Sequence, residues 1–254
     1  MSSPELLESQ VAAWGVDLDR RSCERLLEFA QLLATYDRAN VIGTRDLDGI
    51  LLSHVLDSLS CFMYEPLFRA RRLADVGSGG GLPGIPINIV RQDLGTTLIE
   101  STGKKAAFIW YAAEHLGLEG VQVANERAED LGRTGEHRGG YDIVTCRAVA
   151  SLSVVAEYCV PLLEIGGQVI AMKGRLGPEE LSGGNSAAGA LGAEVVEIKR
   201  VPMLPEVGQK ERNLVIIQKT RETPARYPRR ASMMAKKPLG SRAIPAIHVL
   251  RCPQ

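Results

Sequence analysis

The sequence predicts an α/β fold in which a mostly parallel, seven-stranded sheet has helices on both faces. Between residues 72 and 219, short apolar segments alternate with helix-length segments, as in a doubly wound sheet. The first apolar segment, residues 73–77, is followed at once by a glycine-rich turn and a helix start. Such a unit places a ligand site at the carboxyl edge of a parallel sheet.

Residues 1–68 precede this pattern, and we expect them to form a helical segment that packs on the core. One helical stripe consists of Leu26, Leu27, Ala30, Leu33 and Ala34. A second helical stretch runs from about residue 46 to 62, and His54 and Asp57 share one of its faces and can bond each other. Since no further histidine or carboxylate joins them, we interpret the pair as structural rather than as a metal or hydrolase site.

Residues 69–220 contain the alternating elements of the expected ligand-binding domain. The strand segments span residues 73–77, 97–100, 121–124, 141–146, 168–172, 195–200 and 214–219. The helix segments span residues 85–91, 104–116, 128–131, 151–163 and about 178–191. Residues 183–189 are small and glycine-rich, so we expect them to interrupt or loosen their helix. Residues 202–208 are too few for a crossover helix, so the last strand should run antiparallel to its neighbour. This hairpin is typical of methyl-transfer folds rather than of dinucleotide folds.

The glycine turn favours a nucleoside ligand without a diphosphate. Gly77 and Gly79 match the first two positions of the dinucleotide fingerprint, but Leu82 stands at the third. Glu100 follows the next strand, where a carboxylate accepts hydrogen bonds from ribose hydroxyls. S-adenosylmethionine has this shape, and we interpret the turn as its site. A glycine turn in another α/β enzyme, such as an NAD-dependent oxidoreductase, is the alternative.

Two further strand ends provide site candidates. Ala128 and Glu129 follow the third strand, where an adenine is typically held, although an acid in the first turn of a helix is also favoured by the helix dipole. Arg147 ends the fourth strand and can hold a phosphate or stack on a base, the alternative being a surface ion pair. Cys146 has no acid beside it, so we interpret it as a core residue. An acceptor with a free lone pair, such as guanine N7, would need placement rather than a general base.

Charge and cysteine usage indicate the class of partner and the compartment. From Lys219 to the end there are nine basic residues and one acid, Glu222, although the whole chain has no net charge. A basic tail on an acidic body suggests a polyanionic partner, a solvated and disordered terminus being the alternative. Residues 221–254 also contain five prolines, so we expect a flexible tail. Scattered cysteines without a paired motif favour a reducing cytoplasm, and no targeting or membrane-spanning segment is visible.

Several motifs together resemble one known family. They are the glycine turn of residues 75–86, His54-Val55-Leu56-Asp57-Ser58, Asn125-Glu126-Arg127-Ala128-Glu129, Cys146-Arg147-Ala148-Val149-Ala150, Ala171-Met172-Lys173-Gly174 and Arg212-Asn213-Leu214-Val215-Ile216. The basic segments Tyr227-Pro228-Arg229-Arg230 and Lys236-Lys237-Pro238-Leu239 agree as well. Over about residues 20 to 240, the chain resembles the bacterial small-subunit ribosomal RNA guanine-N7 methyltransferases, the RsmG or GidB family.

The resemblance implies a Rossmann-like class I S-adenosylmethionine-dependent methyltransferase. Its implied reaction is methyl transfer to N7 of guanine 527 in the decoding region of 16S rRNA, on the small ribosomal subunit. In this family, loss of the modification is linked to low-level streptomycin resistance. A cytoplasmic monomer without metal or membrane partner is expected. A non-enzymatic ribosome-assembly protein that keeps the fold is a further alternative.

The resemblance also assigns roles by position. The implied cofactor-binding residues are Gly77, Gly79, Leu82, Glu100, Ala128, Glu129 and Arg147, and Arg147 is the catalytic candidate. The implied RNA-binding residues are His54, Lys173, Arg212, Arg229, Arg230, Lys236 and Lys237.

Overall fold

The structure, a computed structural model, describes residues 3–202 and 211–240. Its strands are β1 (Arg72–Val76), β2 (Gly95–Ile99), β3 (Val121–Ala124), β4 (Tyr141–Arg147), β5 (Leu163–Lys173), β6 (Ala193–Val201) and β7 (Arg212–Lys219). They form one seven-stranded sheet in the order β3-β2-β1-β4-β5-β7-β6. The first five strands pair in parallel, and β7 is antiparallel to both β5 and β6. The predicted mostly parallel sheet with an antiparallel last strand is confirmed. Residues 203–208 of the linker between β6 and β7 lie outside the described residues.

Helices alternate with the strands from β1 to β6, as predicted, and further helices precede β1 and follow β7. They are α1 (Ser3–Ala13), α2 (Arg20–Thr35), α3 (Leu47–Ile50), α4 (Asp57–Leu59), α5 (Gly84–Val90), α6 (Gly103–His115), α7 (Ala128–Leu131), α8 (Leu152–Cys159), α9 (Pro178–Leu191) and α10 (Ala231–Lys236). The stretch Leu51–Leu56 between α3 and α4 is a wider π-helix. Helix α8 ends before the predicted residue 163, because Pro161 has no amide hydrogen with which to continue the α-helical ladder.

Helix α9 is continuous, so the prediction of a helix interrupted at residues 183–189 is wrong. The glycines there permit close packing of α9 on α8 instead. A Cβ atom on Gly184 would lie 2.3 Å from Cδ2 of Leu152, which is too close unless one of the two helices moved. The low helix propensity of glycine is therefore offset by the packing it allows.

Two hydrophobic clusters cover the sheet. On one face, Leu26 and Phe29 of α2 and Phe62 share a core with Ile85 of α5 and Ile216 of β7. The other face buries the apolar side chains of α8 and α9 together with Tyr227. The N-terminal helices thus pack directly on the sheet and meet its carboxyl edge through the π-helix.

Residues 221–240 are packed against the body, which differs from the flexible tail that we expected. Tyr227 and Met234 are buried. Glu157 of α8 is fully buried, and its carboxylate accepts hydrogen bonds from Arg229 Nε at 2.8 Å and Nη2 at 2.6 Å. A buried carboxylate requires a partner, and Arg229 supplies it, which the charge pattern alone could not reveal. Residues 241–254 lie outside the described residues.

Arg229→Ala should lower the free energy of unfolding by about 3 kcal/mol, because it leaves the Glu157 charge buried and unpaired. Urea unfolding followed by circular dichroism measures the change. Arg230→Ala, at the exposed neighbouring position, is the matched control and should shift stability by less than about 0.5 kcal/mol. Equal stabilities of the two variants would contradict the assigned role of Arg229.

Candidate active site

The turn after β1 has a backbone that favours glycine. Gly77, Gly79 and Gly81 have φ values of +72°, +58° and +80°. The carboxylate of Glu100, directly after β2, accepts a hydrogen bond from the Gly79 amide at 2.9 Å and another from the Thr102 amide at 2.7 Å. The sheet edge therefore brings Glu100 to the glycine turn, as the sequence predicted.

Asp75, the next-to-last residue of β1, supports this turn from inside the core. It is fully buried and accepts hydrogen bonds from Thr145 Oγ1 at 2.9 Å and from the Gly84 amide at 3.1 Å. Burial raises the pKa of Asp75 to about 6, and these hydrogen bonds only partly oppose the effect. The folded protein thus binds a proton at Asp75 more readily than the unfolded chain does.

Asp75→Asn should therefore gain stability relative to the unmodified protein as the pH rises. The cost of ionising Asp75 in the folded state appears between about pH 4 and pH 6 and is complete above that range. Above pH 6 the relative gain should be on the order of 2–3 kcal/mol. Urea unfolding at several pH values measures it, and an offset between the two proteins that does not change with pH would contradict the assignment.

A first cavity, of about 170 Å³, lies between the glycine turn and α7. It is lined by Gly77, Glu100, Ala128, Glu129, Val149 and Tyr158, among others. Four of the predicted cofactor residues are thus brought together. Leu82 is instead buried in the hydrophobic core, and Gly79 meets the site through its hydrogen bond to Glu100.

Val149 was not among the predicted site residues. Its Cγ2 would lie 2.6 Å from a Cβ atom on Gly77, so it covers the turn directly. The preceding residue, Ala148, has a φ of +54°, which is uncommon for a residue with a side chain. The cavity is smaller than the roughly 300–1,000 Å³ typical of small-molecule sites, and Val149 forms part of its lining.

A second cavity, of about 410 Å³, lies beside the end of β4. Its lining includes Ser53, His54, Asp57, Arg147, Lys173 and Arg212. The structure therefore joins the catalytic candidate to three predicted RNA-binding residues. Arg147 and the adjacent Ala148 border this cavity, while Val149 borders the first, so three consecutive residues separate the two.

Arg147 is largely buried and contacts the N-terminal helical segment. Its Nη1 donates to Asp57 Oδ2 at 3.1 Å, and its Nη2 lies 3.2 Å from His54 Nδ1. His54 and Asp57 therefore both meet Arg147, which differs from the pairing with each other that helical spacing suggested. Asp57 Oδ1 also accepts from Arg212 Nε at 3.2 Å. Asp57 is a site residue that we missed, although it stands in the His54-to-Ser58 motif.

His54 is a neutral imidazole. Burial, and then the positive charge of Arg147, lower the pKa of His54 to about 4. Because a guanidinium only donates hydrogen bonds, Nδ1 accepts from Arg147 and Nε2 carries the proton. As the pH falls from about 6.5 towards 4, the unfolded chain takes up a proton here before the folded protein does, and stability from this group is lost.

Lys173 fixes the loop between the two cavities. Its Nζ donates to the carbonyl of Ala150 at 2.7 Å and forms an ion pair with Glu180 at 2.8 Å. Glu180 also accepts a hydrogen bond from the Leu152 amide at 3.1 Å. The basic residues Arg230, Lys236 and Lys237 are exposed, whereas Arg229 is committed to Glu157.

Within residues 3–202 and 211–240, the structure has no helix long and apolar enough to cross a membrane. The same residues contain no group of three side chains that could hold a metal ion.

The sheet order, the antiparallel β7 and the glycine turn facing Glu100 define the class I methyltransferase fold. An apo S-adenosylmethionine-dependent methyltransferase, SibL, has a similar structure, with a TM-score of 0.53 and 14% identity over 78% of this chain and 70% of that chain. The cyclase SpnF gives a TM-score of 0.50 with 14% identity, over 65% of this chain and 81% of that one. Because SpnF is a cyclase, the likeness describes the fold and not the reaction.

Sequence comparison identifies the family. The family described as rRNA small subunit methyltransferase G (GidB) matches residues 22–215. A protein of Rubrobacter xylanophilus is 55% identical over 239 residues, covering 94% of this chain and 92% of its own length. A protein of a Roseiflexus species is 39% identical over 236 residues, covering 92% and 99%. Both are named ribosomal RNA small subunit methyltransferase G. The chain belongs to this family, which confirms the resemblance seen in the motifs.

Proposed function

We propose that this protein transfers the methyl group of S-adenosylmethionine to N7 of guanine 527 of 16S rRNA, with the small ribosomal subunit as substrate. The observation that supports this most is the placement of the two cavities. The cavity beside the glycine turn and a cavity lined by cationic side chains lie on either side of residues 147–149. A methyl donor and an RNA acceptor can therefore meet there.

The residues of the first cavity fit the donor. Gly77 has no Cβ atom, so its backbone can be approached closely, and Val149 already packs against it at this point. Two backbone amides hold the carboxylate of Glu100 in place, and we expect it to accept hydrogen bonds from the ribose hydroxyls. Ala128 and Glu129 line the part of the cavity where we expect the adenine. When bound, S-adenosylmethionine supplies an electrophilic methyl group on a sulfonium.

The second cavity offers hydrogen-bond donors to the acceptor RNA. Arg147, Arg212 and Lys173 are suited to phosphate oxygens and to guanine O6. Both oxygens of Asp57 are engaged by arginines, and His54 has a pKa of about 4, so neither is suited to act as a general base. Guanine N7 has an in-plane lone pair and needs no deprotonation, so positioning is the contribution required.

Transfer of a tritium-labelled methyl group from S-adenosylmethionine to rRNA tests the proposal. Purified protein should label the rRNA of small subunits from a strain that lacks the endogenous enzyme, and leave large subunits unlabelled. Calorimetry should show binding of S-adenosylmethionine and none of NAD. Binding of NAD alone would support the oxidoreductase alternative, and donor binding without transfer would support the non-enzymatic one.

The exposed cations of the C-terminal segment are proposed to contact the rRNA backbone. Replacing Arg230, Lys236 and Lys237 together by glutamine should weaken subunit binding and reduce the dependence of log K on log salt concentration by about 2 to 3. Filter binding at several salt concentrations measures this slope. A slope equal to that of the unmodified protein would exclude these residues from the interface.

A further inference from the structure

Asp57 lies between two arginines that come from different strands. Its side chain is 11% exposed, and each carboxylate oxygen takes one guanidinium, Arg147 from the end of β4 and Arg212 from the start of β7. We infer that Asp57 is a positioning residue for methyl transfer, which holds Arg147 and Arg212 together as one RNA-facing pair. This inference rests on the proposed function.

Electrostatics gives the reason for this arrangement. Two guanidiniums that are always charged repel each other in a partly buried cavity. With one carboxylate between them, each arginine has an attractive partner on the side facing the protein. Removing the carboxylate would allow both side chains to move apart, and the cavity would lose its defined set of donors.

Both arginines keep N–H groups that are free to donate to a ligand. Arg147 uses N–H groups on Asp57 and His54, and Arg212 uses Nε on Asp57 and Nη1 on the carbonyl of Glu211 at 3.3 Å. A guanidinium has five N–H groups, and Arg147 Nη1 also donates to the carbonyl of His54 at 3.4 Å, so about two remain on Arg147 and about three on Arg212. Arg212 is 34% exposed and Arg147 17% exposed, so these groups can reach acceptor oxygens of the RNA.

The N-terminal helical segment is built to present Asp57 rigidly. The π-helix Leu51–Leu56 ends directly before Asp57, and such wider turns often occur at functional sites. Two serine hydroxyls bind the carbonyls of the segment, Ser58 on His54 and Ser60 on Asp57, each at 2.6 Å. Beyond covering the core, the N-terminal helices thus orient the arginines at the sheet edge.

Asp57→Asn tests the inference, with Asp93→Asn as the matched control. Like Asp57, Asp93 accepts two hydrogen bonds from guanidinium groups, but both come from Arg91. Asp93 lies outside both cavities. We expect Asp57→Asn to lower kcat on small subunits by about 10- to 100-fold while the donor Kd measured by calorimetry is unchanged. The control should keep both values.

A double-mutant cycle separates positioning from a purely structural role. If Asp57 acts through the arginines, Asp57→Asn should lower kcat by less than about twofold in a background with Arg147→Gln and Arg212→Gln, because both charges that it positions are already removed. Should Asp57→Asn fail to fold, Asp57→Glu keeps the charge but displaces both guanidiniums. That variant should keep its melting temperature and still lose kcat.

The outcomes distinguish this inference from the proposed function. No transfer by the unmodified protein would reject the function itself. Two results would overturn only the role of Asp57. One is that Asp57→Asn and the unmodified protein have the same kcat. The other is that Asp57→Asn lowers kcat by the same factor whether or not the two arginines are present.

Discussion

Arg147→Ala should lower the turnover of methyl transfer by about 100-fold or more while the protein stays folded. Arg147 borders the cavity that we propose for the RNA, and the next two residues of the chain separate it from the cavity that we propose for the donor. Removing its guanidinium takes away fixed donors beside the reacting atoms. Asp57 would retain its contact with Arg212, so we expect little loss of stability. Single-turnover transfer of labelled methyl to small subunits measures the effect.

Two further variants show whether the loss of turnover is specific to the guanidinium of Arg147. Arg72→Ala is the matched control, because Arg72 lies at the opposite, amino-terminal end of β1 in an exposed ion pair with Glu164. It should keep full turnover. Arg147→Lys should fall between the two, because a lysine keeps the charge but lacks the planar fork. Full turnover by Arg147→Ala would remove this residue from the active site.

Gly77→Ala should raise the dissociation constant of S-adenosylmethionine by at least about tenfold. The new Cβ would be placed 2.6 Å from Val149, in a backbone with a φ of +72°. That backbone costs about 1–2 kcal/mol for a residue with a side chain. The turn and the loop around Val149 must then shift, which changes the cavity that we assign to the donor. Calorimetric titration with S-adenosylmethionine measures the loss.

Gly15→Ala separates backbone strain from the effect at the cavity. Gly15 has a φ of +80°, and a Cβ atom there would meet nothing within 4 Å. Gly15→Ala should lose about as much stability as Gly77→Ala from backbone strain, but it should bind S-adenosylmethionine as tightly as the unmodified protein does. Adding Val149→Ala to Gly77→Ala should restore part of the affinity by relieving the contact. Unchanged donor binding by Gly77→Ala alone would contradict the placement of the donor.

Much of the fold was predictable because strand periodicity and linker length are local properties of the sequence. The short linker before β7 indicated an antiparallel last strand, and the structure confirms it. The glycine turn and Glu100 could be paired in advance, because consecutive parallel strands end at the same edge of a sheet.

What could not be predicted depends on contacts between distant parts of the chain. Asp57 meets arginines 90 and 155 residues away, and helical spacing suggested only its neighbour His54. Arg229 appeared as part of a basic tail, because nothing in the local pattern shows that Glu157 is buried. The glycines of α9 were interpreted as breakers, although they permit close packing on Leu152.

We propose that a guanine in the cavity beside Arg147 receives the methyl group at N7 from a donor bound in the cavity beside Gly77. Chemical mapping tests it most directly, because borohydride reduction followed by aniline cleaves RNA at N7-methylguanosine. Small subunits treated with the protein and S-adenosylmethionine should show one new cleavage, at a guanine of the decoding region, which Arg147→Ala does not produce. Methylated subunits without any new cleavage would contradict transfer to N7.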